Sequence, residues 1–199
     1  MRRHLVLFVR VPALGHGKRR LARGIGDVAA LGFERLMIAR LLRRLGNDRR
    51  WQLRIALTPH HACRAARQWR RGIEIVPQGG GDLGRRMRRA IAATPPGPVV
   101  LIGSDIPAIE PGHIAAAFRR LGTHDLVFGP AVDGGFWLVG ARRRPRLPML
   151  FARVRWSTSH ALADTLAGLP RGVTVGFVDT LEDIDDGDGW RRLRPRRGF

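Results

Sequence analysis

The sequence predicts an α/β protein built on a mainly parallel sheet with helices on both faces. Three observations carry this expectation. Short runs rich in Val, Ile, Leu and Phe alternate with longer segments of helical period. Most of the runs have little polar relief, as strands covered on both faces do. Half of the 16 acidic residues, and several glycines, stand just after the runs, where open α/β sheets bind ligands. A length of 199 residues with 44% apolar content suits one domain with a single core.

The first strand is "HLVLFVRV", followed by "QLRIALT", "GIEIVP", "PVVLIGSD", "DLVFGPA", "GGFWLVG" and "VTVGFVD". Between the first two, Asp27 is placed to cap a helix whose Ala30, Phe33, Met37, Leu41 and Leu45 recur at helical spacing. The same period predicts helices at about 60–70, 83–93, 111–121 and 158–168, the last capped by Ser157 or Thr158 of "WSTS". Residues 1–189 are expected to form the domain and 190–199 a solvated basic tail.

Composition narrows the class. The formal net charge is +20, and clustered Arg favours phosphate groups through counterion release. The Arg residues spread over nearly every predicted helix, with knots at 142–144 and in "RRLRPRRGF", and no nucleic-acid recognition motif accompanies them. Small phosphorylated ligands are the better fit. A lone Cys63 excludes a fold stapled by intramolecular disulfides. The opening "MRRHLVLFVRVP" is broken by Arg10 and ends at Pro12 with no small-residue cleavage site, so it reads as a strand rather than a signal peptide. No stretch approaches the ~20 apolar residues of a membrane span. The expected setting is cytoplasmic.

The post-strand segments hold the chemistry. In "ALGHGKRRLARGIG", Lys18 is the one lysine among 36 basic residues. The segment is not a Walker A loop, because Pro12 and Arg19 stand where that motif has Gly and Ser or Thr, and no G-x-G-x-x-G is present. What remains is a backbone loosened by Gly15 and Gly17, able to approach an anion, with Lys18 and Arg20 adding charge; a solvated surface loop is the alternative. In "GSDIP", Asp105 ends an apolar strand and either binds a cation or caps a turn before Pro107. In "LEDIDD", Asp183 and Asp185 alternate, so extended backbone points both carboxylates to one side. Oxygen-only ligands suit Mg²⁺ or Mn²⁺. His60, His61 and Cys63 match no zinc spacing, and Ser104 lies outside G-x-S-x-G. Phe136 and Trp137 read as core, with room for one of them at a pocket mouth.

Taken in order, "GKRRLA", "GGDLGRRM", "VVLIGSDIPAI", "GPAVDGGFWLVG" with "LFARVRWST", and "LEDIDD" resemble one family. It is the small bacterial "transferase 1, rSAM/selenodomain-associated" group, DUF2064, of the nucleotide-diphospho-sugar transferase superfamily. The first piece is also similar to the "AK[ST]RL" loop of phospholactate and phosphoenolpyruvate guanylyltransferases, but Arg19 stands where the family usually has Thr. The resemblance implies a single three-layer α/β/α domain of GT-A type with a mostly parallel, mixed sheet. It implies that Lys18 and Arg20, with Gly15 and Gly17, meet nucleotide phosphates. Gln78, Gly81 and Asp82 would lie near the base, with Ser104 on the nucleotide side. Asp105 would bind Mg²⁺ or Mn²⁺ with Asp183 or Asp185, and Asp133 with Gly134 and Gly135 would sit beside the acceptor or the transferred group. Two activities follow from it: sugar transfer from a nucleoside diphosphate sugar to a small acceptor, or coupling of a nucleoside triphosphate to a phosphorylated small molecule with release of pyrophosphate. A noncatalytic anion-binding or nucleic-acid-binding module is the third reading.

Overall fold

The computed structural model describes all residues except 67, 68, 70, 71, 144–146 and 194–199. Part of the helix expected at 60–70, Arg144 of the 142–144 knot, and the end of the expected tail therefore lie outside the described residues.

Among the described residues seven strands form one sheet: β1 (His4–Arg10), β2 (Gln52–Thr58), β3 (Glu74–Pro77), β4 (Val99–Ile102), β5 (Leu126–Pro130), β6 (Phe136–Ala141) and β7 (Val175–Phe177). Their order is β3-β2-β1-β4-β6-β5-β7. Only β6 runs against its neighbours, β4 and β5; the remaining pairs are parallel. The mixed, mostly parallel sheet is the one expected. β6 reverses because it follows β5 through a tight turn in which Ala131 N–H donates to Gly135 O at 3.0 Å, whereas every parallel pair needs a long crossover.

The helices are α1 (Arg19–Ile25), α2 (Asp27–Leu45), α3 (Cys63–Ala66), α4 (Leu83–Ala92), α5 (Pro111–Arg120), α6 (Ala161–Ala167) and α7 (Gly187–Leu193). Strand alternation divides the core. Leu5, Leu7 and Val9 of β1 pack with Ile38, Leu41 and Leu42 of α2 and with Ile114 and Phe118 of α5. Val6 turns to the other face with Met87, Ala90 and Ile91 of α4 and Leu150. Three layers result. At ~25 cal/mol per Å², these two faces supply most of the driving force, and both are legible as the apolar runs.

Several local expectations are corrected. Asp27 is the first residue of α2 rather than its cap; Gly26 precedes it with φ 85°, and no side chain caps the end. Ser157 and Thr158 do not cap α6, which starts three residues later; Thr158 instead closes a turn, its hydroxyl donating to Arg155 O at 2.8 Å. The segment at 60–70 is a 3₁₀ turn at 60–62 followed by the short α3. Two helices, α1 and α7, were not anticipated, since "RRLARGI" buries only Leu21 and "GDGWRRL" contains two glycines. The two meet backbone to backbone: a Cβ on Gly24 would stand 2.8 Å from Gly187 Cα. Trp190 of α7 packs edge-on against Phe33 at 5.3 Å. The boundary drawn at 190 therefore falls inside a packed helix, because one aromatic side chain outweighs the solvated charges around it.

Candidate functional site

The site lies where strand order diverges. The segments leaving the carboxyl ends of β1 and β4, adjacent central strands, part there and leave a crevice. The β1 segment brings Gly15, Gly17, Lys18, Arg19 and Arg20; the β4 segment brings Gly103, Ser104 and Asp105. A third segment arrives from the far edge of the sheet. After β7, Leu181 bridges in parallel to Ala131, and Ile184 N–H then donates to Asp105 O at 3.3 Å. Ile184 is buried against Leu21, Ala30, Phe33 and Met37. Its neighbours Asp183 and Asp185 turn the other way, as alternation predicts. One carboxylate oxygen from each of Asp105, Asp183 and Asp185 lies within 4.8 Å of the others.

Lys18 joins this cluster. Its Nζ donates to Asp105 Oδ2 at 3.0 Å and to Asp185 Oδ1 at 2.5 Å, and its side chain is only 11% exposed. The expectation of an exposed loop lysine is wrong here. Burial opposes the ammonium, but the two carboxylates outweigh it and hold the Lys18 pKa above the ordinary lysine value. Asp183 makes no ion pair with a described residue. Burial first, and then the charges of Asp185, Asp105 and Asp133, push its carboxyl up to about 6. Three acids held together against repulsion, with hard oxygen donors, suit a divalent cation.

Glu34 of α2 was missed. Its carboxyl is half-buried beside Gly17, where a Cβ would stand 2.6 Å from Glu34 Oε1. Gly17 also has φ +102°, so this position needs glycine for space and for conformation. Burial and then the Asp105 charge raise the Glu34 pKa, while Lys18 and Arg10 pull it down. The signal was hidden because Glu34 follows buried Phe33 on a long helix with charges on its open side.

The other expected residues divide. Arg20 reaches the cavity rim, 67% exposed, 3.8 Å from Asp186. Gln78 is buried: its Nε2 donates to Val9 O at 2.9 Å and Ala56 O at 3.0 Å, and its Oε1 accepts from Arg86 Nη1 at 3.1 Å. Arg89 ties down the same loop through Gln78 O and Gly80 O, both at 2.9 Å. Asp82 is the N-cap of α4, accepting Arg85 N–H at 2.7 Å, and Gly81 packs on the Arg85 side chain. These contacts shape the loop after β3, and neither Gly81 nor Asp82 lines the cavity. Asp133 is exposed in the β5–β6 turn and accepts Gly135 N–H at 2.8 Å through one oxygen, near enough to Asp183 to raise its pKa. Trp137 is core, 3% exposed, with Nε1–H donating to Asp179 O at 3.0 Å. Phe136 stacks on Phe151 at 6.1 Å and faces the cavity. His60, His61 and Cys63 form no metal cluster among the described residues.

The cavity measures about 790 Å³, inside the range of small-molecule sites. Its lining also includes Phe8, Arg10, Thr58, Leu83, Arg86 and Met87. Among the described residues no helix is long and apolar enough to cross a membrane.

Residues 41–158 match the family described as uncharacterized proteins conserved in bacteria, DUF2064. No curated protein sequence matches this chain. Among solved structures, a candidate nucleotide-diphospho-sugar transferase from Desulfovibrio desulfuricans G20 is 26% identical with a TM-score of 0.86, over 100% of this chain and 89% of that one. A CMP:2-keto-3-deoxy-manno-octonic acid synthetase complexed with CTP is 10% identical with a TM-score of 0.64, over 98% of each chain. Glucosyl-3-phosphoglycerate synthase from Mycobacterium tuberculosis, complexed with Mn²⁺, UDP and glucosyl-3-phosphoglycerate, is 16% identical with a TM-score of 0.55, over 92% of this chain and 70% of that one. The neighbours are thus transferases that share this fold.

Proposed function

The chain belongs to the DUF2064 family, and from that premise we propose that it is a metal-dependent transferase that moves a sugar from a nucleoside diphosphate sugar to a small acceptor. The observation that carries this reading is the convergence of Lys18, Asp105 and Asp185 from three separate post-strand segments at one cavity. Asp105, Asp183 and Asp185 would hold Mg²⁺ or Mn²⁺, and the mutual proximity of their oxygens fits such an ion. The bound cation supplies charge neutralisation to a diphosphate leaving group.

The chain's own groups do the rest. Lys18 gives two of its three ammonium protons to Asp105 and Asp185 and has one left for a phosphate oxygen, and Arg20 adds charge at the rim. Gly15 and Gly17 let the backbone approach the phosphates, with the Glu34 carboxyl packed against Gly17 from behind. Ser104 lines the nucleotide side of the cavity. Gln78, Gly81 and Asp82 act near the base by holding the loop that carries it. Asp133, whose second oxygen is not engaged by the Gly135 amide, stands beside the acceptor with Gly134 and Gly135. A soluble, cytoplasmic setting accords with the free Cys63.

A second reading has specific support. The β4 end carries one Asp in "GSDIP" rather than an acid pair, while Lys18, Arg19 and Arg20 stand in a row. Such a loop suits the several phosphates of a nucleoside triphosphate, with a phosphorylated acceptor attacking the α-phosphorus and pyrophosphate leaving.

A thermal-shift panel of nucleoside triphosphates against nucleoside diphosphate sugars, with and without Mg²⁺ and Mn²⁺, separates the two. A donor at ~100 times its Kd should stabilise the protein by roughly 2.7 kcal/mol. Metal-dependent stabilisation by diphospho-sugars supports sugar transfer, and by triphosphates alone the second reading. Stabilisation by neither, at any metal concentration, rejects both.

A further inference from the structure

Of the 36 basic residues only Lys18 is a lysine, and it is the one that stands among the acids. Its Nζ donates to Asp105 Oδ2 at 3.0 Å and to Asp185 Oδ1 at 2.5 Å. Those carboxylates, with Asp183, are the three whose oxygens gather within 4.8 Å of one another. A compact ammonium there is a point charge held by the same groups that suit a divalent ion. A guanidinium could not stand in for it, because its charge is spread over a wide planar fork. The Lys18 side chain is only 11% exposed, so water screens it weakly. An ion on the same carboxylates would meet a like charge at close range, and such neighbours repel strongly.

The loop has room for one cation to yield to the other. Lys18 directly precedes α1, and its side chain makes no cap contact with that helix. Before it, Gly15 and Gly17 have φ of 73° and 102°, and a Cβ on Gly15 would have no atom within 4 Å. Lys18 lines both the large cavity and a smaller one of about 360 Å³ bounded by the loop, α1 and the start of α2. The ammonium can therefore turn from the acids while α1 keeps its buried anchor, Leu21.

We propose that Lys18 is a built-in counter-ion that holds the acid cluster together until a divalent ion replaces it, and that the replacement turns the ammonium toward the donor's phosphates. This rests on the proposed reading that Asp105, Asp183 and Asp185 hold Mg²⁺ or Mn²⁺. No covalent bond changes; one cation succeeds another on the same carboxylates. An order of events follows. The lysine that meets phosphate is withheld until the ion is in place, so a donor arriving without metal lacks that contact.

The solitary lysine makes the test direct. The full chain, labelled at lysine ¹⁵Nζ, has one side-chain ammonium resonance, and two carboxylate partners should slow its proton exchange. Diamagnetic Mg²⁺ should carry that resonance, saturably, to the fast exchange of a solvated lysine. Asp183→Asn keeps both Lys18 hydrogen bonds but removes an ion ligand, so the same change should need roughly tenfold or more Mg²⁺. Lys18→Met should bind Mn²⁺ roughly tenfold or more tightly than wild type, measured by paramagnetic resonance. It should also melt below wild type without added ion and recover the difference with Mn²⁺.

A resonance that stays in slow exchange at saturating Mg²⁺, with Mn²⁺ binding intact, overturns the proposal and leaves the metal site standing. Mn²⁺ binding in folded Lys18→Met no tighter than in wild type does the same; should that variant unfold, the wild-type resonance decides. An unchanged Mg²⁺ requirement in Asp183→Asn places the ion elsewhere and also overturns it. No ion binding to wild type or to Lys18→Met rejects the metal-site reading together with the proposal.

Discussion

Two groups of side chains at one cavity are opposites. At the acid end Asp105, Asp183, Asp185 and Glu34 crowd around a single lysine; Arg10 and Arg86 line the same cavity with no carboxylate ion-paired to either among the described residues, and Arg10 is near enough to Glu34 to lower its pKa. In a chain carrying 36 basic and 16 acidic residues, basic surroundings are the default. The acid end is therefore the feature that needs explaining, and its explanation is local: repulsion is tolerated because Lys18 sits inside it. The comparison teaches that in this pocket acids gather only where a buried ammonium offsets them, while the guanidinium groups need no such partner.

Breaking the acid end should have the largest effect. Asp105→Asn keeps volume and removes a charged oxygen, so metal-dependent turnover should fall by about 10³-fold or more with the fold retained. Asp185→Asn should behave alike. Turnover unchanged in Asp105→Asn, with its metal dependence intact, would falsify the ligand assignment.

Lys18→Arg comes next. The substitution keeps the charge, but a planar fork cannot reproduce a compact ammonium bound to two carboxylates from one point, and turnover should drop roughly 10²-fold. Because Lys18 is buried, a loss of thermal stability should accompany it, against what an exposed lysine would give. A variant as active and as stable as wild type would make the solitary lysine an accident of composition.

The support beneath the acid end should matter at intermediate scale. Trp190→Ala removes the aromatic that packs on Phe33 beside buried Ile184. A fall in Tm of about 3–6 °C is expected, with weaker Mn²⁺ binding because the Asp183–Asp185 segment loses its anchor. Loss of neither, measured by calorimetry and metal titration, would show that α7 is decoration.

The smallest effects come from the proton on Asp183. With its carboxyl raised to about 6, protons compete with metal, so Mn²⁺ affinity should fall by roughly tenfold as pH drops from 7 to 5. The sign for stability is opposite. A folded pKa above the unfolded value stabilises the protein below about pH 4, and that contribution is lost as pH rises through 6. Asp183→Asn should therefore raise the metal-free Tm at pH 7, by about 2–4 °C after allowing for its partial exposure, and leave it unchanged near pH 4. Equal shifts at both pH values would mean the effect is not electrostatic.

Much was determined by sequence alone. Seven apolar runs became seven strands, because a short unbroken apolar run rich in β-branched residues is a local property that survives any tertiary arrangement. The positions of Lys18, Asp105 and Asp183 with Asp185 after strands placed them at the ligand-binding edge, since that rule depends only on strand direction. The alternation around Ile184 correctly turned both acids one way.

Tertiary structure alone decided who meets whom. Lys18 and Asp185 are 167 residues apart, and no local pattern encodes that contact; it follows from Ile184 pairing with the Asp105 backbone across the sheet. The same holds for Glu34, whose place beneath Gly17 depends on where α2 lands, and for α7, whose glycines and charges argue against a helix until Gly24 and Phe33 receive it. Gln78 and Asp82, drawn toward a ligand by motif, also serve the loop: a buried amide is obliged to satisfy the nearest backbone groups, and an Asp at a helix start the nearest free N–H. Local periodicity is a sum over neighbours in the chain, whereas a site is a sum over neighbours in space, and in this protein most of those come from the far ends of the sequence.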